Sequence, residues 1–309
     1  MILLLQLLAL ALGFILLGKG ADWFVDGAAG IAARFGIPQL VIGLTIVAMG
    51  TSAPEAAVSL AAAFKGNADI TIGNILGSNI MNIWIILGLA AVICPLAVAR
   101  STVRVEMPFV IGISCLLLFL GRDGMVRFSD GCVLAALFIV YLLYLYRMAT
   151  KLQEVKEEND EYGYSLGKCV LWTVGGMGVI IAGSNITVTA ATEIAKFLGL
   201  SERIIGLTIV ALGTSLPELF TSVTAAYKGN ADIAIGNIVG SNIFNILFVV
   251  GISSLVVDIP FAKAFSFDAY VTIAAAVSLW LCVLPGQRLA RWGGAVMLIA
   301  YAGYLWHII

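Results

Sequence analysis

Apolar stretches of about 20 residues recur along the whole chain, separated by short segments that hold many of its charges. A helix of this length crosses the hydrocarbon core of a bilayer, and the long runs of alternating polarity typical of membrane β-barrels are absent from the sequence. The pattern therefore predicts an all-α integral membrane protein. We place ten transmembrane helices near residues 2–24, 38–64, 70–95, 105–121, 128–147, 167–194, 203–227, 233–257, 268–285 and 289–308.

Composition supports this interpretation. Of the residues, 61% are hydrophobic and 11% are charged, whereas a soluble domain carries about a quarter charged residues. The first apolar stretch has neither a basic flank nor a small-residue cleavage pattern, so we expect a permanent helix rather than a removed signal peptide. No basic run indicates nucleic-acid binding, and the five cysteines lack the CxxC spacing of a zinc site.

A repeat divides the chain into two halves. Residues 42–89 align without a gap onto residues 205–252, and about two positions in three are identical. The first copy contains IGLTIVAMGTSAPE and KGNADITIGNILGSNIMNI, and the second contains IGLTIVALGTSLPE and KGNADIAIGNIVGSNIFNI. Five spans per half is an odd number, so the second copy would enter the membrane from the opposite side. Two inverted five-helix repeats, with a substrate site near the midplane, are typical of secondary transporters.

The predicted organisation is a first five-helix repeat at 1–147, a linker at 148–166 and a second repeat at 167–309. The linker is the one long hydrophilic stretch of the sequence. We predict a multi-pass cell-membrane protein with a cytoplasmic linker and with both termini outside, because this orientation puts most of the basic residues inside. The inside set would be Arg34, Arg100, Arg104, Arg147, Lys151, Lys156, Lys168, Lys228, Arg288 and Arg291.

Two glutamates stand inside predicted spans, where charge is costly unless it faces a cavity or an ion path. Glu55 follows Pro54, and Glu218 follows Pro217. A proline within a helix removes an amide donor, so we expect backbone carbonyls without helical partners about one turn earlier. These carbonyls would lie near Ala48 to Thr51 and near Ala211 to Thr214.

Oxygen-bearing side chains accompany both glutamates. A serine stands three residues before each glutamate. The next span of each half carries a serine and an asparagine four residues apart, which share one helical face. Hard cations such as Ca²⁺ prefer such oxygens, and two glutamates balance one divalent ion or two monovalent ions. The pattern predicts competitive binding of small cations. The side chains concerned are Ser52, Glu55, Ser78, Asn82, Ser215, Glu218, Ser241 and Asn245.

These motifs resemble the sodium/calcium exchanger branch of the calcium/cation antiporter superfamily, prokaryotic type, whose two alpha repeats carry G-T-S-x-P-E and G-S-N-x-x-N or close variants. The resemblance implies an antiporter that exchanges Na⁺ for Ca²⁺, with these ions and the bilayer as partners, no cofactor and a plausible monomer. It implies coordination by the eight side chains above and by the backbone carbonyls of Ala48, Thr51, Ala211 and Thr214.

Other functions stay open at this point. A proton/calcium exchanger is the main alternative, and potassium-dependent exchangers resemble this chain but have Asp where Asn245 stands. A cation channel would usually arrange subunits around a pore. A hydrolase would need a base near Ser52 or Ser215, and no histidine or lysine is close to either in sequence, so we predict that the protein is not an enzyme.

Six further polar positions have less certain roles in the sequence. Asn74 and Asn237 are expected to hydrogen-bond the opened backbone near the glutamates, as support rather than as ligands. Asp69 and Asp232 suit interfacial turns. Asp22 and its repeat partner Asn185 either line a pathway or face lipid headgroups.

Overall fold

Helices account for most of the computed structural model, which describes residues 2–64, 68–153, 164–199 and 211–308. The helices are α1 (Ile2–Phe35), α2 (Gln39–Thr51), α3 (Ala53–Phe64), α4 (69–93), α5 (Thr102–Asp123), α6 (Phe128–Gln153), α7 (Leu166–Phe197), α8 (Ala211–Thr214), α9 (Leu216–Tyr227), α10 (Ala231–Val256), α11 (Lys263–Val283) and α12 (Arg291–Ile308). The strands are β1 (Leu96–Ala97), β2 (Met125–Val126), β3 (Ile259–Pro260) and β4 (Arg288–Leu289).

The helical membrane architecture is confirmed. Within the described residues, seven helices are long and apolar enough to cross a bilayer, and the pair α2 and α3, bent by 47°, adds an eighth if it forms one span. Part of the predicted span 203–227 lies outside the described residues, and the predicted span 289–308 corresponds to the 18-residue helix α12. The number ten and the inversion of the repeats therefore remain predictions.

The predicted first span, 2–24, ends too early. Helix α1 continues to Phe35, because residues 25–35 contain no proline and only two charged side chains. Its end is set by Gly36, whose φ of 64° is the left-handed conformation that terminates helices, and by Pro38 soon after. Helix α6 continues to Gln153, six residues into the predicted linker 148–166, and residues 154–163 lie outside the described part of the chain.

Small residues bring α1 and α7 into close contact. A Cβ atom on Gly20 would lie 2.8 Å from the Ile180 amide nitrogen, and one on Gly176 would lie 2.6 Å from the Phe24 amide nitrogen. Glycines at such contacts let helix backbones approach closely in a membrane, where apolar burial gives no preference for helix contact over lipid. The two longest helices are thereby held together at their backbones.

Helices α4 and α10 form the centre of the protein. In their most apolar windows, 78% of α4 and 94% of α10 are buried, against 17% of α1. Gly236 and Gly240 of α10 contact the backbone of α2 at Gly43 and Leu44. The outer helices instead expose a broad apolar surface suited to lipid, including Leu4, Leu8, Ile15, Val140, Leu143, Leu171, Val174 and Ile299.

Antiparallel strand pairs connect the two halves of the chain at two places. Strand β1 pairs with β4, with Leu96 opposite Leu289, and β2 pairs with β3, with Met125 opposite Pro260. Each pair takes one strand from either side of the linker. The halves are therefore joined both through their buried helices and at these loops.

Candidate functional site

Both glutamates lie directly after a break in a helix. Ser52, at φ −83° and ψ 4°, separates α2 from α3, and Ser215, at φ −91° and ψ 4°, separates α8 from α9. Pro54 and Pro217 fall within the first turn of the second helix, where the missing proline amide costs little. Glu55 and Glu218 therefore occupy helix N-terminal turns, where the partial positive charge of the helix dipole favours a carboxylate.

Hydrogen bonds bring the two carboxyl groups into one site. The Ser52 hydroxyl donates to Glu218 Oε1 at 2.8 Å, and the Ser215 hydroxyl donates to Glu55 Oε1 at 3.4 Å. Glu55 is 1% exposed and Glu218 is fully buried. Each serine thus bonds the glutamate of the other half, so the site exists only where the two halves meet.

Four oxygens of the predicted ligands have no hydrogen-bond partner among the described residues. They are Glu55 Oε2, Glu218 Oε2, Asn82 Oδ1 and Asn245 Oδ1, all buried. Within the same residues, no lysine or arginine forms a salt bridge with either glutamate. Two buried carboxylates without a basic partner are costly, and a bound cation would offset that cost.

Asn74 and Asn237 hydrogen-bond the backbone at the glutamates themselves, beyond the break, and not the carbonyls before it that the prolines were expected to open. Asn74 Nδ2 donates to the Glu55 carbonyl at 3.5 Å and to Ser59 Oγ at 3.0 Å. Asn237 Nδ2 donates to the Glu218 carbonyl at 3.5 Å and to Ser222 Oγ at 2.9 Å. Asn237 Oδ1 also accepts from the Thr51 hydroxyl at 2.9 Å.

The expectation that the Ala48 carbonyl lacks a helical partner is wrong. It accepts the Ser52 amide at 3.0 Å, and the hydroxyls of Thr51 and Ser241 approach it at 3.3 Å each. The helix keeps its hydrogen bonds through Ala48 because the break falls at Ser52. The Ser241 contact nevertheless brings this carbonyl beside a predicted ligand of the other half.

The remaining predicted ligands lie on α4, α8 and α10. Asn82 and Asn245 are buried at the start of π-helical turns in α4 and α10, a local geometry that is frequent at functional sites. Ser78 is 4% exposed and lies one turn before Asn82. In the second half, Ala211 begins α8, and Thr214 ends it and is half-buried.

Sequence reasoning missed two pairs of buried residues near this site. Ser59 and Ser222 hold the supporting asparagines, and their signal was identity in both copies, four residues after each glutamate. Asn79 and Asn242 form hydrogen bonds between α4 and α10. The signal in the sequence was that each is the asparagine of a GSN triplet and directly follows a predicted ligand, Ser78 or Ser241.

Of the three uncertain aspartates, Asp22 and Asp232 have described side chains, and the side chain of Asp69 lies outside the described part of the structure. Asp22 pairs with Lys228 at 3.3 Å, and Asp26 pairs with the same lysine at 2.8 Å, which links α1 to the end of α9 at an exposed position. Asn185 is exposed. Asp232 is half-buried in the first turn of α10, in agreement with an interfacial position.

Fold and site together define a class: a multi-pass helical membrane protein with a charged, oxygen-rich centre between its helices, as in secondary transporters. The chain matches the model of the sodium/calcium exchanger protein family over residues 5–147 and 168–309. It belongs to that family, which consists of exchangers rather than enzymes.

Relatives and solved structures agree with this assignment. The sodium/calcium exchanger MaX1 of Methanosarcina acetivorans is 30% identical over 346 aligned positions, which cover 96% of this chain and 97% of MaX1. The inner membrane protein YrbG of Escherichia coli is 37% identical, with coverage of 89% and 90%. A structure of the sodium-calcium exchanger NCX_Mj superimposes with a TM-score of 0.87 at 32% identity, covering 99% of this chain and 100% of that one. The same exchanger has been solved after soaking with Na⁺ and Ca²⁺.

Proposed function

We propose that this protein exchanges Na⁺ for Ca²⁺ across the membrane, with Glu55 and Glu218 as the charged ligands of a shared site. The observation that carries this proposal is the pair of serine bonds that cross between the halves, Ser52 to Glu218 and Ser215 to Glu55. They hold two carboxylates together in a buried place without a basic partner among the described residues. One divalent ion or two monovalent ions would balance this charge, so Ca²⁺ and Na⁺ compete for the site.

The proposed ligand set contains oxygen alone, as hard cations require. The free oxygens of both glutamates and of Asn82 and Asn245 form its centre, and hydroxyl and carbonyl oxygens complete it. Solved structures of NCX_Mj soaked with Na⁺ and Ca²⁺ support the choice of these two ions. The full proposed set is Ala48, Thr51, Ser52, Glu55, Ser78, Asn82, Ala211, Thr214, Ser215, Glu218, Ser241 and Asn245.

The proposed transport cycle is alternating access. In it, ten spans form two inverted repeats, 1–147 and 167–309, joined by the linker 148–166, and one group of helices moves against the other around the site. The close contact of α1 with α7 supports a moving group that contains one helix from each repeat, because two long helices joined at their backbones can move as one body. We place the linker in the cytoplasm and both termini outside.

A proton-coupled or potassium-dependent exchanger is the second candidate, and one observation weighs against a third charge in the site. Position 245 carries an amide whose nitrogen donates to Asn79 Oδ1 at 3.1 Å. An ionised carboxylate there would face that oxygen without a proton to share. The site is therefore proposed to work with two carboxylates.

Uptake of ⁴⁵Ca²⁺ into proteoliposomes tests the proposal. Outward gradients of Na⁺, K⁺ or H⁺ are imposed one at a time on vesicles that contain the purified protein. We expect uptake with the Na⁺ gradient alone. Uptake that follows the proton gradient and ignores Na⁺ would establish the proton-coupled alternative, and uptake without any counter-ion gradient would indicate a channel.

A further inference from the structure

We propose that Asn79 and Asn242 are positioning residues that fix the orientation of the Asn82 and Asn245 amides, so that an oxygen rather than an NH₂ group faces the transported ion. This inference rests on the proposed function, because it assumes that the two amides are ion ligands. It concerns two residues outside the proposed ligand set.

Two backbone carbonyls fix the orientation of the Asn79 and Asn242 side-chain amides. Asn79 Nδ2 donates to the Asn242 carbonyl at 3.4 Å, and Asn242 Nδ2 donates to the Asn79 carbonyl at 3.2 Å. Both side chains are buried, at 0% and 1% exposure. A backbone carbonyl can only accept hydrogen bonds, so the nitrogen of each side-chain amide must be the atom that faces it. The side-chain oxygens of Asn79 and Asn242 therefore point the other way, as acceptors.

The oxygens of Asn79 and Asn242 in turn orient the amides of the two proposed ligands. Asn245 Nδ2 donates to Asn79 Oδ1 at 3.1 Å, and Asn82 Nδ2 donates to Asn242 Oδ1 at 3.0 Å. A flip of either ligand amide would place two oxygens against each other and leave a buried acceptor pair in repulsion. With their nitrogens used in this way, Asn82 and Asn245 keep Oδ1 free of any hydrogen bond from the described residues. These free oxygens are the atoms that a cation would bind.

The pairing crosses between the halves. Asn79 lies on α4 and orients Asn245 of α10, whereas Asn242 lies on α10 and orients Asn82 of α4. Asn79 and Asn242 are 163 residues apart and occupy equivalent positions of the repeat. Each ligand amide is consequently set by the opposite half, and neither half alone can present both oxygens.

A simpler role for the buried asparagines is to hold two membrane helices together, as polar side chains commonly do. In that role, only the bonds of Asn79 and Asn242 to each other's backbone would matter. The effect of losing them would then be the same whichever residues stand at positions 82 and 245. The two roles therefore differ in which pairs of residues are coupled. Cross-half coupling, 79 with 245 and 242 with 82, belongs to positioning alone.

Double-mutant cycles on the full chain separate the two roles. The variant Asn79→Leu is measured alone, with Asn245→Ala, and, as a matched control, with Asn82→Ala on the same helix as Asn79. Asn242→Leu gives the mirror cycles and replaces the first set if Asn79→Leu does not fold, as judged by thermal unfolding in detergent. The readouts are the Kd for ⁴⁵Ca²⁺ and the KM and kcat of Na⁺-driven uptake.

We expect Asn79→Leu to weaken Ca²⁺ binding about tenfold, which corresponds to 1.4 kcal/mol, and to raise KM more than it lowers kcat. With Asn245→Ala already present, it should have no further effect on Kd, whereas with Asn82→Ala it should keep its full effect. Equal, additive losses in both cycles would overturn the inference and leave a purely structural role. Absence of Na⁺-driven uptake by the unmodified protein would instead contradict the proposed function, so the two failures are distinguishable.

Discussion

The serine and glutamate side chains of the two motifs exchange partners between the halves. Ser52 donates to Glu218, and Ser215 donates to Glu55. A hydroxyl that donates to a buried carboxylate stabilises its charge by about 1.5 to 3 kcal/mol. The serines therefore hold the glutamates in place and favour their charged form, beyond any oxygen that they contribute to an ion.

Ser52→Ala tests this role. Loss of the 2.8 Å bond should raise the KM for Ca²⁺ by about tenfold or more, because the Glu218 carboxylate loses its donor. Ser114→Ala is the matched control, since Ser114 is also buried but bonds its own helix at the Val110 carbonyl. Both variants are compared by Na⁺-driven ⁴⁵Ca²⁺ uptake. Equal KM values for the two would contradict the account.

The sequence was sufficient to bring out the charged residues but not the contacts between halves. Glu55 and Glu218 are visible because a charge stands out within an apolar span. The role of Asn79 depends on which residue of α10 lies opposite, and no pattern within α4 encodes that register. The Ala48 carbonyl was misjudged because a proline breaks a helix over several residues, and the structure places the break at Ser52.

At the scale of helices, a line of small residues brings the backbones of α1 and α7 together. Gly13, Gly20 and Gly27 of α1 all meet α7 at its backbone. The extent of α1 could be predicted only in part, because its apolar pattern fades after Trp23 while its terminating residues lie at Gly36 and Pro38. Hydropathy detects the membrane crossing, whereas the turn chemistry decides where the helix ends.

Substitutions along α7 test the backbone contact. Gly176→Ala would place a methyl group 2.6 Å from the Phe24 amide nitrogen, so the two helices must move apart. We expect a lower thermal unfolding midpoint of the detergent-solubilised protein. Gly178→Ala, on the same helix with nothing within 4 Å, should leave the midpoint unchanged or raise it, since alanine favours a helix by about 1 kcal/mol. Equal midpoints for both variants would refute the close contact.

At the scale of the whole molecule, the two halves are interlocked. The paired strands connect them in the loops, α4 and α10 form the buried centre, and the candidate site draws side chains from both. The repeat in the sequence predicted that equivalent residues would share one site. How the halves pack could not be read from the repeat, because it depends on helix contacts such as Gly236 and Gly240 against α2.

Orientation in the membrane is a testable property of the whole chain. Basic residues concentrate around the linker, which should keep it in the cytoplasm. In a bacterial host, alkaline phosphatase fused after Ile309 should be active, and the same enzyme fused after Glu158 in the linker should be inactive. The reverse pattern would show that the predicted orientation is wrong.

The central claim is that Glu55 and Glu218 form one site for which Ca²⁺ and Na⁺ compete. Equilibrium binding of ⁴⁵Ca²⁺ to the purified protein, titrated with Na⁺, measures this directly. Glu193→Gln serves as the control, because Glu193 is an exposed glutamate paired with Lys196 at 3.4 Å. The account predicts saturable, Na⁺-displaceable binding in the unmodified protein and in Glu193→Gln, and its loss in both Glu55→Gln and Glu218→Gln. Undiminished Na⁺-displaceable binding in either of these two variants would contradict it.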